Sequence, residues 1–218
     1  MKLIDSFPGL NEVMIEELAL ILLDKFKYPS LPQDYIDFLL KNNGGFVTPG
    51  YIQGSDMELH KEEVLFESPL KEGEGFWEPS IYAFFAVWLP NTMSKADIKN
   101  KKLPNLIASN QHSKIDYEIL PEQMMSIASC TLPGAGDLLC ISLDERDYGS
   151  IYFYFSQWYN PAFSGSMNYY EQKRNLILDK YNINAIEDHE STTDAKFEID
   201  RIPFVKVANS FSEFLNNL

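Results

Sequence analysis

The sequence is poor in the residues that build most reactive centres. Its 218 residues include two cysteines, Cys130 and Cys140, and three histidines, His60, His112 and His189. Two cysteines cannot make a disulfide framework, and neither sits in a Cys-x-x-Cys or Cys/His array, so both read as buried thiols. Cys130 has no neighbouring cation or base to lower its pKa, which argues against a nucleophile. The histidines stand apart in polar company and read as surface residues. Asp188-His189-Glu190 groups metal-ligand types without a ligand spacing, so neither a metal nor a cofactor is expected. The motifs of serine hydrolases, phosphate loops, dinucleotide folds and zinc proteases are all missing.

Long apolar runs are also lacking. Nothing approaches the roughly 20 residues that span a bilayer, and Met1 to Pro8 shows no signal-peptide core or cleavage site. A cytoplasmic protein without a membrane partner is therefore expected. Basic residues are scarce, with 18 Lys and Arg against 32 Asp and Glu, a net charge of −14. Direct nucleic-acid binding is disfavoured, because phosphate-tracking proteins need cationic surface to displace counterions. The charge calls for a basic partner instead.

Hydrophobic residues make up 45% of the chain, including 15 Phe and 12 Tyr, enough for one ring-rich core. No Pro/Gly-rich linker or repeat divides it, so one domain over 1–218 is expected. Apolar residues at helical spacing, Val13, Met14, Leu18, Ile21, Leu22 and Phe26, predict a helix from Asn11 to Phe26. Ser30 and Gln33 have capping-box form ahead of a second helix striped by Tyr35, Phe38 and Leu39, which Asn42-Asn43-Gly44-Gly45 should end in a left-handed turn. Ile81 to Leu89 reads as a strand covered on both sides, and Ser94 to Lys102 as a surface helix.

Met124 to Ala128, Leu138 to Leu143 and Ile151 to Phe155 read as strands, the last two forming an antiparallel hairpin with the acidic tip Asp144-Glu145-Arg146-Asp147-Tyr148-Gly149-Ser150. Tyr169 to Tyr181 looks helical. Asn184 to Asp200, with six acids against Lys196 alone, reads as a mobile loop. Ser210 and Glu213 form a capping box before a closing helix, whose Phe211, Phe214, Leu215 and Leu218 share one face.

Acids and rings adjoin in the segments read as loops. The residues singled out as partner-binding are Glu74, Trp77, Glu78, Asp144, Glu145, Asp147, Tyr148, Trp158 and Tyr159. These rings either cap the core or form a protein-binding face, in which rings supply anchor area and acids steer a cationic partner. The acidic run over 55–78 is either such a face or merely solvated. Paired carboxylates in a hydrolase would require a tuned cleft that no spacing announces.

Several fragments resemble the SUKH superfamily, in its order. Leu31-Pro32-Gln33-Asp34-Tyr35-Ile36-Asp37-Phe38-Leu39 with Asn43-Gly44-Gly45 is similar to its opening pattern. Leu120-Pro121-Glu122-Gln123, then Gly134 to Ile141, then Gly149-Ser150-Ile151-Tyr152-Phe153 resemble its central strands, and Val207-Ala208-Asn209-Ser210-Phe211-Ser212-Glu213-Phe214-Leu215 its last helix. Segments 55–78 and 156–204 look like longer excursions. The resemblance implies an α+β fold, a twisted, mostly antiparallel sheet packed against helices, with no catalytic residues. It further implies either a bacterial immunity protein that neutralises a toxin, many such toxins being nucleases, or an intracellular scaffold like the fungal cell-wall-synthesis regulators. Since a nuclease presents cationic surface to phosphate, an acidic antidote fits, and a non-enzymatic immunity protein is the leading expectation. No family motif fixes an interface, so the nine residues rest on composition and loop position.

Overall fold

The apolar stretches assemble into one antiparallel sheet. The structure, a computed structural model, describes residues 2–48, 81–89, 103–130, 136–154, 156, 166–183 and 193–217. Among these, the strands are β1 (Lys2–Ile4), β2 (Phe7–Pro8), β3 (Asn42–Asn43), β4 (Gly45–Thr48), β5 (Ile81–Phe84), β6 (Met124–Cys130), β7 (Leu138–Ser142), β8 (Ile151–Tyr154) and β9 (Phe204–Ala208). The helices are α1 (Glu12–Phe26), α2 (Gln33–Lys41), α3 (Leu106–Asn110), α4 (Ser166–Lys180), α5 (Thr193–Asp200) and α6 (Phe211–Asn216), with a π-helical turn, Gln111–Asp116, following α3. Seven strands pair antiparallel in the order β1-β4-β5-β6-β7-β8-β9, and β2 and β3 form a separate ribbon. Every residue of β5, β7 and β8 is buried, as a strand covered on both faces requires. The expected α+β class and antiparallel sheet are therefore observed. None of the described helices is long and apolar enough to cross a membrane.

Rings from two helices meet over the sheet. Phe211 of α6 lies 5.1 Å from both Tyr35 and Phe38 of α2 and 5.9 Å from Phe84 of β5, mostly edge to face. Burying a ring this completely stabilises by about 1.5–3 kcal/mol. The caps follow local chemistry: the Asn11 side chain accepts from the Met14 N–H at the start of α1, and Ser210 accepts from the Glu213 N–H at the start of α6. The Glu213 carboxylate in turn accepts from the Asn209 N–H at 2.8 Å, closing a box displaced by one residue.

Four expectations are corrected by the structure. The capping box at Ser30 does not form, because α2 starts after Pro32 while the Ser30 hydroxyl pairs with Tyr148 and Gln33 donates to Asp37. Helix α2 does not end in a left-handed turn. Its exit, Asn42, is extended and joins β3 against β2, while Gly44 takes φ +70°. The asparagine-glycine pair serves a different purpose: Asn43, fully buried, accepts from the Val87 N–H at 2.6 Å and donates to the Val87 carbonyl at 3.0 Å. A Cβ on Gly44 would come within 2.7 Å of the Ala86 nitrogen, so only glycine permits that approach.

Lastly, the part of the expected mobile loop that lies in 193–200 is helix α5, with Ala195 buried. Val13, expected on the buried face of α1, is 72% exposed, whereas Leu18, Leu22 and Phe26 are buried. Segment 55–78, the helix expected over Ser94 to Lys102, and 184–192 lie outside the described residues.

Candidate functional site

The β7–β8 hairpin places an acidic turn at one end of the sheet. Register Leu138↔Tyr154 to Ile141↔Ile151 brings Ser142 and Ser150 together, and Gly149, at φ +83°, donates back to the Ser142 carbonyl at 2.8 Å. Asp144 opens the turn by accepting from the Arg146 N–H at 3.1 Å, a local side-chain bond that aspartate favours in turns. Its carboxylate also takes two bonds of 2.8 Å from the Arg146 guanidinium. These bonds hold the Asp144 carboxyl below the usual carboxylate range.

Asp147 turns inward. Its carboxylate accepts from Ser142 Oγ, from the Tyr152 hydroxyl, and from Arg201 Nε and Nη2 at 3.1 Å each. The Arg201 and Asp147 side chains are 10% and 9% exposed. Asp147, expected as a steering charge on an open tip, is thus matched by an arginine 54 residues downstream. Burial, and then the Asp147 carboxylate, pushes the Tyr152 hydroxyl well up, so it stays a donor.

Helix α5 is clamped on this turn. The Phe197 ring lies 3.9 Å from the guanidinium carbons of both Arg146 and Arg201, a double cation–π contact. Arg146 also reaches Asp194 at 3.3 Å. From the other side, Lys180 and Tyr181 at the end of α4 donate to Glu198 at 2.6 and 2.8 Å. Few apolar residues mark this segment in the sequence, and arginine–ring contacts replace them in docking it.

Between tip and helix run two adjoining grooves. One, of about 520 Å³, is lined by Pro29, Gln123, Leu143, Asp144, Glu145, Arg146 and Asp194. The other, of about 180 Å³, shares Gln123, Asp144 and Arg146 and is floored by Phe197, Asp200 and Arg201. The Gln123 amide oxygen is buried and has no hydrogen-bond partner among the described residues. Burial pushes the Asp200 carboxyl above its usual range, partly offset by Lys196 and Arg201.

The four described candidates therefore separate. Glu145 is exposed, Tyr148 is 41% exposed with its hydroxyl 2.9 Å from Ser30 Oγ, Asp144 is paired to Arg146, and Asp147 is paired to Arg201. Glu74, Trp77, Glu78, Trp158 and Tyr159 lie outside the described residues. Sequence reasoning missed Arg201, Phe197 and Asp194. Arg146 within the acidic turn hinted at local pairing, but nothing in the spacing ties residues 194–201 to it.

Cys130 at the end of β6 and Cys140 within β7 are both buried, and burial pushes both thiols well up, with Asp137 adding to the effect at Cys130. Thiols so protonated are poor nucleophiles. Among the described residues no group of three or more His, Cys, Asp or Glu is placed to hold a metal ion.

No match to the chain is found among curated proteins. The model of the SMI1 / KNR4 family (SUKH-1) matches residues 24–217, from the end of α1 through α6 and so across both halves of the clamped tip. With most of its length covered, and with the antiparallel sheet and closing helix in place, the chain belongs to the SMI1/KNR4 family, SUKH-1.

Proposed function

We propose that this protein is an immunity protein that acts in the cytoplasm by binding a cationic protein toxin, such as a nuclease, without chemistry of its own. The observation that carries the reading is the outward charge of the clamped tip. Asp144 and Asp194 meet the Arg146 guanidinium and Asp147 meets that of Arg201, and the negative excess is carried outward by Glu145, which is exposed, and Asp194, whose side chain is 65% exposed. Both line the larger groove, and the Tyr148 ring follows Glu145 closely in the chain. Three ion pairs and a shared ring hold this surface in place, so a partner would not have to order it, which limits the entropy cost of binding.

Glu145, Tyr148, Asp194 and the groove floor form the described part of the face. Glu74, Trp77, Glu78, Trp158 and Tyr159 stay in it on composition. Asp144 and Asp147 support the face through their arginines. Family membership supports a protein-binding role, and the net charge of −14 supports a basic partner.

The test is co-expression with the product of the neighbouring gene, scored by pull-down and growth rescue. Glu145→Lys should lower the association rate constant, more at low salt than at high, while leaving dissociation nearly unchanged. An unchanged on-rate removes Glu145 from the face. Absence of a toxin gene nearby and of rescue would return the protein to the regulatory scaffolds of its family.

A further inference from the structure

The larger groove at the hairpin tip combines apolar and charged lining. Pro29 and Leu143 supply the first, Glu145 and Asp194 the second, and Gln123 lines it together with the adjoining smaller groove. The chain already holds guanidiniums in these surroundings. Arg146 is paired to Asp144 and Asp194 against the Phe197 ring, and Arg201 is paired to Asp147 against the same ring. Three acceptors of the groove are not used up in this way. Glu145 has no ion pair or hydrogen bond among the described residues, and Asp194 gives only Oδ1, to Arg146 Nη1. The buried Gln123 amide oxygen accepts from no described group, although burying an acceptor unmatched forfeits its bond to water.

We propose that this groove receives an arginine side chain of the protein partner. The inference rests on reading the tip as a protein-binding face, and it names the group that the face selects. The aliphatic stem lies along Pro29 and Leu143, and the guanidinium sits between the Glu145 carboxylate and Asp194 Oδ2 with one N–H turned to Gln123. Charge favours a cation, since three carboxylates against one guanidinium leave the lining with two net negative charges. Chemistry favours arginine over lysine. A planar guanidinium with five N–H donors serves several acceptors at once, where an ammonium is a single point, and it is the more weakly hydrated of the two, so it enters a half-closed groove at less cost. Its fork fits carboxylate and phosphate alike, so an arginine that grips nucleic acid is a side chain this groove can occupy.

The test titrates the full chain, labelled with nitrogen-15, with three blocked tripeptides: Gly-Arg-Gly, Gly-Lys-Gly and Gly-citrulline-Gly, the last keeping the shape of arginine without its charge. Salt at about 0.15 M screens the general pull of the −14 charge. The arginine peptide should bind in the millimolar range and shift the backbone amides of Glu145, Arg146 and Asp194 and the side-chain amide of Gln123. It should bind about tenfold more tightly than the lysine peptide, the low end for one more hydrogen bond to a charged group, and the citrulline peptide should not bind. Glu145→Gln should weaken the arginine peptide about two- to fivefold, the span of an exposed ion pair. Gln123→Met should weaken it about tenfold while leaving the lysine peptide almost unchanged. Because this substitution removes an unmatched buried oxygen, Tm should not fall, which separates a lost contact from a lost fold.

If Gln123→Met does not fold, Glu145→Gln and the three peptides decide alone. Equal affinity for arginine and lysine, arginine binding indifferent to Glu145→Gln or to a folded Gln123→Met, or shifts confined to other surfaces overturns the inference. Growth rescue by a chain that shows no arginine preference overturns it and leaves the immunity reading standing. Arginine selectivity in a chain with no toxin to rescue from overturns the immunity reading and leaves the groove assigned.

Discussion

Glu145 and Asp147 stand two residues apart on one turn, and replacing each with alanine should separate an exposed charge from a structural one. Asp147 receives bonds from Ser142, Tyr152 and the Nε and Nη2 of Arg201, with the paired Arg201 and Asp147 side chains 10% and 9% exposed. Removing one partner of a buried ion pair costs about 3–5 kcal/mol, because the other charge stays buried and unmatched. Water reaches the rim of this pair, so Asp147→Ala should fall at the lower end, about 3 kcal/mol. For a chain of this length each kcal/mol moves Tm by about 2–4 °C, giving a drop of about 6–12 °C by calorimetry.

Glu145→Ala, at an exposed position of the same turn, should stay within about 0.5 kcal/mol of wild type. In a double-mutant cycle of Asp147→Ala with Arg201→Ala, the two changes should be strongly non-additive, coupled by about 1–3 kcal/mol. Exchanging both partners for apolar residues, Asp147→Leu with Arg201→Met, should recover much of the loss. A Tm shift below about 2 °C for Asp147→Ala, or additivity in the cycle, would refute the structural role assigned to this carboxylate.

Asn110 is fully buried, donates to the Leu106 and Ser126 carbonyls at 2.9 and 2.8 Å, and accepts from the Ser126 N–H at 3.0 Å. Asn110→Leu fills similar volume but leaves these groups unmatched, and should cost about 3 kcal/mol or more by urea denaturation; an unchanged midpoint would refute the role. Asp200 ends α5 with its carboxyl pushed up by burial, at the helix terminus where negative charge is disfavoured. The folded state binds this proton more tightly than the unfolded state, so the group's contribution is fully present at acid pH and is lost as pH rises through the raised value. Asp200→Asn should therefore gain stability over wild type at neutral pH and lose that advantage toward acid; a difference constant with pH would contradict the burial assigned to it.

Local chemistry made much of the fold legible. Helical spacing marked α1 and α2, short largely apolar runs marked β5 to β8, and the polar, glycine-bearing turn marked the hairpin. Asn11, Ser210 and Glu213 acted as caps within a few residues of where they stand, and such bonds depend on near neighbours alone. The candidate site was legible only in part. An acidic turn can be read from Asp144 to Asp147, but whether each carboxylate steers or supports depends on which cations arrive from elsewhere in the chain.

The amino-acid sequence by itself determined most of the helices and strands, the hairpin built on a short turn, the buried thiols and the negative balance, because each follows from composition or from residues close along the chain, while the α+β class came from the family resemblance. Tertiary structure alone decided that Asn43 and Gly44 lock against Ala86 and Val87, that Phe197 is held by Arg146 and Arg201, that Asp147 turns inward and that Leu20 and Leu23 face out. Those facts rest on contacts between residues far apart in sequence, and on which side of a helix the rest of the chain happens to cover, neither of which periodicity can specify.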